Sequence, residues 1–328
     1  MSDALPVLVT GASGYVGSLV VRALAADSSF RVLATDVRPV PPEHRLPGVE
    51  HQVADVRSPG LADLFARFRP RCVVHLASIV TPGKDSSRDF EYSVDVLGTE
   101  NVLRACLAAG VEQIVVPSSG AAYGYHADNP PWLNEDHPLR GNDAFAYSRH
   151  KRLVEEMLAR YRAEHPGLRQ LVFRVGTILG EGTNNQITAL FRKPRLLAIR
   201  GSASPFVFVW DRDVVAAIVR GVRLGAGGIY NLAGDGAMTL PEIAGALGKP
   251  VLSLPAWLLR TALALAKPLG LTAYGPEQVD FLRYRPVLDN RRLKEEFGFV
   301  PQKTSREALA VFAKTIVLDD RPSATRNG

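Results

Sequence analysis

A tyrosine and a lysine at helical spacing are the residues of this sequence best suited to move a proton. Tyr147 and Lys151 belong to the run YSRHK, and this spacing places both side chains on one face of a helix, about 5–6 Å apart at Cβ. A phenol with a pKa of about 10 is a poor base at neutral pH, but a neighbouring ammonium favours the phenolate. We therefore expect Lys151 to lower the pKa of Tyr147, which would act as an acid/base catalyst. The same spacing is also typical of a solvated helix face.

A serine after an apolar run supplies a third polar group. Ser119 lies in the segment PSSGAAYG, directly after a predicted strand at 113–116. Ligands of doubly wound sheets bind at the carboxyl edge of the strands, where a hydroxyl can hydrogen-bond to a substrate oxygen while Tyr147 transfers its proton. Serines after a strand also serve as turn residues. The sequence thus predicts Ser119, Tyr147 and Lys151 as the catalytic residues, with turn chemistry as the alternative for Ser119.

The glycine-rich segment TGASGYVG, residues 10–17, predicts a phosphate-binding turn between a strand and a helix. Backbone N–H groups and the positive end of a helix meet there, and both attract anions. Gly11 permits the tight turn, Gly14 lets a pyrophosphate approach the backbone, and Gly17 lets the helix pack on the sheet. Tyr15 and Val16 open the helix and complete the candidate cofactor-binding residues of this turn. A Walker loop is excluded because no Gly-Lys-Ser/Thr follows, whereas an ordinary glycine turn stays open.

An acidic residue follows the second predicted strand. Asp36 comes 19 residues after Gly17, where a carboxylate would accept a hydrogen bond from a ribose 2′-hydroxyl. The same charge would repel a 2′-phosphate, so the sequence favours NAD over NADP. Arg38, two residues further on, could accommodate that phosphate, and NADP remains the alternative.

Short apolar runs alternate with helical patterns through the first half of the chain. This alternation predicts an α/β fold, a Rossmann-type doubly wound parallel sheet covered on both faces. The predicted strands lie at 6–10, 31–35, 72–76, 113–116, 171–174 and 206–210. The predicted helices lie at 16–24, 60–69, 89–109, 143–165, 213–223, 239–248, 255–267 and 289–297, and Asn142 and Asp143 are expected to cap the fourth.

The second half is less regular and predicts a smaller, interleaved C-terminal substrate-binding region. We expect a dinucleotide-binding domain over 1–180, to which 206–232 return, and a substrate-binding cap formed by 181–205 and 233–318. The polar tail 319–328 is expected to be disordered.

Composition excludes several classes of protein. The chain has 328 residues, 46% hydrophobic and 22% charged, as in globular proteins, and its net charge of +6 is scattered, which does not favour nucleic acid as the main partner. Two cysteines, Cys72 and Cys106, cannot form a disulfide framework or a four-ligand zinc site. We expect no metal and a cytoplasmic location. No apolar run is long enough for a transmembrane helix.

The order of six motifs resembles that of the extended short-chain dehydrogenase/reductase family, in its NAD-dependent epimerase/dehydratase branch. The motifs are TGASGYVG, Asp36, Asp55-Val56, the run His75-Leu76-Ala77, SSGAAYG and YSRHK. The resemblance covers about residues 5–230 with correctly ordered motifs. It implies a Rossmann fold and hydride transfer at nicotinamide C4, with Tyr147 as acid/base and Ser119 on the substrate oxygen. It also implies that Lys151 binds the nicotinamide ribose, that Asp55 and Val56 flank the adenine, and that Ala77 lies beside the cofactor. A homodimer paired through helices 89–109 and 143–165 is a further expectation from this resemblance.

Departures from the family pattern concern the substrate. Gly120 and Ala121 replace the Asp-Glu pair of the family's dehydratases, which disfavours dehydration. Thr177 stands where sugar-nucleotide members usually carry asparagine, and Ser204-Pro205 where they tend to carry Arg-Asp. Arg192, with its basic neighbours Lys193 and Arg195, is the candidate that compensates, although a solvated basic loop is the favoured explanation of these three residues. Thr177 and Arg192 are the predicted substrate-binding residues.

These features lead to an NAD(P)-dependent oxidoreductase that interconverts a secondary alcohol and a ketone on a non-sugar or lipophilic small molecule. The alternatives are a nucleotide-sugar 4-epimerase with tightly bound NAD and, more distantly, a dinucleotide-binding sensor without turnover. The leucine-rich segment 251–271 packs as an ordinary helix, lines an apolar substrate pocket, or dips into a lipid surface with Arg260 and Lys267 at the headgroups.

Overall fold

The structure is a computed structural model that describes residues 4–81, 83, 86–272 and 275–319. The strands are β1 (Leu5–Thr10), β2 (Phe30–Asp36), β3 (Val49–Val53), β4 (Cys72–His75), β5 (Gln113–Ser119), β6 (Arg169–Val175), β7 (Thr177–Leu179), β8 (Leu196–Ile199), β9 (Phe208–Trp210), β10 (Gly228–Leu232) and β11 (Val251–Leu254). The helices are α1 (Tyr15–Ala25), α2 (Leu61–Phe68), α3 (Arg88–Tyr92), α4 (Gly98–Ala108), α5 (Ala146–Glu164), α6 (Gln186–Phe191), α7 (Asp211–Leu224), α8 (Leu240–Ala246), α9 (Ala256–Ala266), α10 (Gln278–Arg283), α11 (Arg291–Glu295) and α12 (Ser305–Asp319).

In the described residues, seven strands form a parallel sheet in the order β10-β6-β5-β4-β1-β2-β3. Its central strands are buried continuous apolar runs, as expected for a parallel sheet covered on both faces. The strand order reverses between β1 and β4, which is the topological switch point where ligands bind in such folds. The α/β Rossmann-type prediction is confirmed. Two-stranded pairings of β11 with β8 and of β7 with β9 lie outside this sheet.

A single helical stretch runs from α3 to α4 with a π-helical turn, Ser93–Leu97, between them. The predicted helix at 89–109 is therefore present, with a widened turn in its middle. Such single-turn insertions occur frequently at functional sites because they redirect a side chain. Here the turn carries Asp95, a buried carboxylate.

Two compact units divide the chain differently from the predicted domains. The first (unit 1) comprises residues 1–122, 139–175 and 214–230, and the second (unit 2) comprises 123–138, 176–213 and 231–328. Four stretches that we expected in the dinucleotide-binding domain belong to unit 2, namely 123–138, 176–180, 206–213 and 231–232. Strand β9 lies in the third of these stretches, and it pairs with β7 and not with the central sheet. Each unit has an apolar core, built around Phe65 and Leu103 in unit 1 and around Phe208 and Phe312 in unit 2.

The predicted helix start at Asn142 and Asp143 is wrong. Helix α5 begins at Ala146 after Phe145, because Asp143 forms an ion pair with Arg152 (Oδ1 to Nη2, 2.7 Å) instead of capping backbone N–H groups. Strand β9 begins at Phe208, two residues later than predicted. Eight of the described elements were not predicted from the sequence, namely β3, β7, β8, β10, β11, α6, α10 and α12. The predicted disordered tail lies outside the described residues, apart from Asp319, which ends α12.

Both cysteines are buried and free. Among the described helices, none combines the length and the apolar character needed to cross a membrane. The same residues contain no cluster of His, Cys, Asp and Glu able to hold a metal ion.

Candidate active site

The glycine turn brings three backbone segments of unit 1 into close contact. Gly11 has φ +66°, and a Cβ there would lie 2.6 Å from the Ala77 nitrogen. A Cβ on Gly17 would overlap the Gly11 carbonyl oxygen, and one on Gly14 would lie 3.1 Å from it. Gly14 is extended and α1 begins at Tyr15, so the amino end of the helix opens at this turn. This compact backbone, with N–H groups at a helix start, suits a pyrophosphate.

Asp36 ends β2 beside the same turn. Its Oδ2 accepts a hydrogen bond from Ser13 N at 3.0 Å, and its Oδ1 accepts bonds from the Arg38 backbone and side chain. The carboxylate is thus fixed next to the turn, which is the position that recognition of a ribose hydroxyl requires. Arg38 is exposed and forms an ion pair with the Asp36 carboxylate. To bind a 2′-phosphate, its side chain would have to leave this carboxylate.

The remaining predicted cofactor residues, Asp55, Val56 and Ala77, lie in different surroundings. Val56 is buried in the core of unit 1 and packs against Gly98, so its side chain has a packing role. Asp55 accepts hydrogen bonds from Arg57, which hold the pKa of Asp55 below its ordinary value. Ala77 follows β4, and its nitrogen donates to Thr10 Oγ1 at the end of β1 (3.3 Å).

The three predicted catalytic residues meet in unit 1. Ser119 is the last residue of β5 and is hydrogen-bonded to Tyr147, and the Lys151 nitrogen lies 5.6 Å from the centroid of the Tyr147 ring. Ser118, its neighbour, is directed elsewhere, because its hydroxyl donates to Glu155 Oε1 at 2.6 Å. The arrangement therefore offers one serine, one phenol and one ammonium for chemistry at the carboxyl edge of β5.

Burial dominates the acid/base properties of this group. It raises the pKa of Tyr147 to about 12, while the hydrogen bond with Ser119 lowers it and the carboxylate of Asp95 raises it further. The expected net lowering by Lys151 is not what the structure shows. Burial also lowers the pKa of Lys151, and the carboxylates of Asp95 and Glu155 oppose that effect.

A buried pair that was not predicted from the sequence lies behind the three predicted catalytic residues. Asp95 Oδ2 lies 3.1 Å from His150 Nδ1, and Asp95 Oδ1 accepts a hydrogen bond from Ile79 N at 2.8 Å. His150 directly precedes Lys151 on α5, so the π-helical turn is joined to the catalytic helix. The motif YSRHK contains His150, but nothing in the sequence indicated that Asp95, more than fifty residues away, would reach it.

A second missed residue lies in unit 2. The Arg285 guanidinium lies 4.0 Å from the Phe206 ring centroid and 4.1 Å from that of Phe281. Its Nε and Nη2 atoms are buried and make no hydrogen bond within the described residues, and burial lowers its pKa to about 10. A buried cation with unsatisfied donors is unfavourable unless an anion or an acceptor approaches it.

The predicted substrate residues Thr177 and Arg192 also lie in unit 2. Thr177 begins β7 and is paired with Phe208 of β9. Arg192 follows α6, and its exposed guanidinium lies 5.4 Å above the Phe312 ring.

A family model described as the NAD-dependent epimerase/dehydratase family matches residues 7–233. The chain belongs to this family. It is an NAD-dependent enzyme of the extended short-chain dehydrogenase/reductase type. The residues of the glycine turn and Asp36 fit this cofactor, because the turn is closed to side chains and its N–H groups remain near a fixed carboxylate.

Relatives of this chain act on different substrates. The UDP-glucose 4-epimerase of Mycolicibacterium smegmatis is 30% identical over 327 residues, which cover 92% of this chain and 96% of that protein. The decarboxylating sterol-4-alpha-carboxylate 3-dehydrogenase of Schizosaccharomyces pombe is 29% identical over 187 residues, which cover 56% of this chain and 53% of that protein. Among solved structures, the UDP-glucose 4-epimerase of Thermus thermophilus in complex with NAD is 25% identical with a TM-score of 0.73, covering 95% of this chain and 99% of that one.

Proposed function

We propose that the protein interconverts a secondary alcohol and a ketone, with Tyr147 as the residue that transfers the proton. The observation that supports this is the geometry at the end of β5, where Ser119 is hydrogen-bonded to Tyr147 and the Lys151 ammonium lies 5.6 Å from the phenol ring. A hydroxyl, a phenol and a cation in this order match the polarisation, proton transfer and charge stabilisation that the reaction needs.

The chemistry that bound NAD supplies is acceptance of the hydride that leaves the alcohol carbon. On the protein side, Ser119 orients the substrate oxygen, and Tyr147 takes its proton during oxidation and returns it during reduction. Because burial raises the pKa of Tyr147 to about 12, the phenol is protonated at neutral pH and suited to donate to a ketone. During oxidation the Lys151 ammonium stabilises the phenolate, and Asp95 and Glu155 favour the charged form of that lysine.

A non-sugar or lipophilic substrate is our first proposal. At the position where sugar-nucleotide members tend to carry an arginine, Ser204 is buried, and its hydroxyl donates to the Leu282 carbonyl oxygen. This position therefore contributes no cation to a substrate. Gly120 and Ala121 offer no carboxylate for an elimination, so dehydration is not proposed.

Arg285 favours a second candidate, a nucleotide-sugar 4-epimerase. Its buried Nε and Nη2 donors have no partner within the described residues, and a diphosphate would supply the oxygen acceptors and negative charge that they lack. The 30% identity to the epimerase of Mycolicibacterium smegmatis supports the same candidate.

Replacing the phenol tests the shared chemistry. We expect Tyr147→Phe to lower kcat by about 10²–10⁴ in an assay of NADH formation on a panel of secondary alcohols. Tyr161→Phe, the same change further along α5, is the control and should leave kcat unchanged. Full activity of Tyr147→Phe would refute the catalytic assignment of Tyr147.

The retained cofactor separates the two candidates. An epimerase oxidises and re-reduces one substrate on the same NAD, so it keeps NAD through purification, whereas a dehydrogenase exchanges it. Mass spectrometry of the denatured protein measures the molar ratio of retained NAD to protein directly. Stoichiometric NAD, together with interconversion of UDP-glucose and UDP-galactose that Arg285→Met abolishes, would establish the second candidate. Little retained NAD and activity on a neutral alcohol that Arg285→Met leaves intact would establish the first.

A further inference from the structure

Helix α9 and the residues after it expose large apolar side chains. None of the eleven residues of α9 is buried. Trp257 is 68% exposed, Leu265 66%, Leu269 71% and Leu271 76%. A helix in a globular protein normally buries one apolar face. Segment 251–271 therefore leaves large apolar side chains exposed within the described residues.

The exposed side chains of α9 share one face. At 3.6 residues per turn, Trp257, Leu258 and Leu265 fall within an arc of about 100° around the helix axis. The opposite side carries Leu259 and Leu263, which are less exposed, and Arg260, which is bound to Asp280 of α10. We call Trp257, Leu258, Leu265, Leu269 and Leu271 the α9 face. These five exposed apolar side chains fall within fifteen residues, unlike the scattered apolar residues of an ordinary surface.

A basic segment adjoins the start of α9. Strand β8 pairs with β11, and Arg200 N donates to Leu254 O just before α9 begins. Segment 192–200, which contains β8, holds four basic residues and no acidic one. On α9 and in the turn after it, Arg260 and Lys267 pair with Asp280 and Glu277. Segment 192–200 therefore brings positive charge next to the strand that leads into α9.

No described segment covers the α9 face, because Trp257, Leu265, Leu269 and Leu271 stay exposed. Apolar side chains led by tryptophan and leucine, flanked by lysine and arginine, are the chemistry that a negatively charged lipid surface recognises.

We propose that the α9 face docks the protein on an anionic lipid surface. Trp257, Leu265 and their neighbours enter the boundary between headgroups and acyl chains, while the basic residues of 192–200 contact the anionic headgroups. The contact is peripheral and reversible, and it uses residues of unit 2.

Vesicle sedimentation of the full-length protein tests the proposal. We expect binding to phosphatidylcholine vesicles that contain phosphatidylglycerol, and at least about tenfold weaker binding to phosphatidylcholine alone. The double variant Trp257→Ser/Leu265→Ser should bind the anionic vesicles at least about tenfold more weakly than the wild type. Trp132→Ser/Leu224→Ser removes the same two residue types from other exposed positions and is the matched control, with unchanged binding. Lys193→Gln/Arg195→Gln/Arg200→Gln should weaken binding by at least about tenfold and reduce its salt dependence.

Tryptophan fluorescence identifies the residue that enters the lipid. Brominated lipids should quench the wild type and Trp132→Phe, but much less Trp257→Phe. Circular dichroism and unchanged NAD binding show that each variant folds. Absence of vesicle binding by the wild type, equal binding to neutral vesicles, or equal loss in the control variant would overturn the proposal. So would a wild-type dimer that Trp257→Ser/Leu265→Ser converts to a monomer without any vesicle binding, because the face would then join two copies of the chain.

Discussion

Replacement of Gly11 by alanine tests whether steric overlap of a Cβ with the backbone, in addition to backbone strain, closes the glycine turn to side chains. Gly11 has φ +66°, and its Cβ would lie 2.6 Å from both Ala77 N and Leu76 C. Gly48 has φ +75° with no atom within 4 Å of its Cβ position, so Gly48→Ala carries the backbone strain without the overlap. Comparison of the two variants therefore separates the cost of the steric overlap from the cost of the backbone strain.

We expect Gly48→Ala to lower the free energy of unfolding by about 1 kcal/mol, the strain of a left-handed alanine. Gly11→Ala should lower it by about 2–4 kcal/mol, because displacing packed backbone adds about 1–3 kcal/mol. Urea unfolding measures both values. Moving the turn should also weaken NAD binding at least about tenfold, measured by calorimetry. Equal destabilisation by the two variants, with unchanged NAD affinity for Gly11→Ala, would refute the reasoning.

Three further predictions concern charge in unit 1. Asp36→Ala removes the carboxylate beside the glycine turn, so the ratio of kcat/KM for NADP to that for NAD should rise at least about tenfold in steady-state assays; an unchanged ratio would remove Asp36 from cofactor selection. Asp95→Asn removes a charge that raises the pKa of Tyr147, so the pH profile of alcohol oxidation should shift to lower pH, and a fixed profile would contradict this coupling. Burial lowers the pKa of His75 from 6.5 to about 4, so the unfolded chain binds more protons between these values. Stability should fall by about 3 kcal/mol as pH drops from about 6.5 to 4 in urea unfolding, and His75→Gln should flatten this dependence.

Elements buried on both sides were predictable from the sequence. Strands β1, β2, β4, β5 and β6 are continuous apolar runs, and the glycines that follow β1 mark the turn into α1. Edge strand β3, VEHQV, was missed because its three central residues are polar and most of the strand is exposed, so no apolar run distinguishes it from a loop. Strands β8 and β11 are short, and their pairing depends on contacts across the chain.

The proposed catalytic residues were found in the sequence because each stands next to a recognisable local feature. Ser119 ends an apolar strand, and Tyr147 and Lys151 share a helical spacing. The environment that sets their proton affinities was not predictable, because it depends on burial and on Asp95, which the π-helical turn brings near them. Arg285 was missed for the same reason, since its ring contacts with Phe206 and Phe281 join distant parts of the sequence.

The division of the chain into discontinuous units has a consequence for how the protein forms. Unit 1 takes its residues from three stretches, the last of which is 214–230. During synthesis, edge strand β10 and helix α7 emerge only after most of unit 2's middle stretch, 176–213, has left the ribosome. Neither unit corresponds to a fragment that a single proteolytic cut would release, so the nucleotide-binding half is not expected to be obtained by truncation.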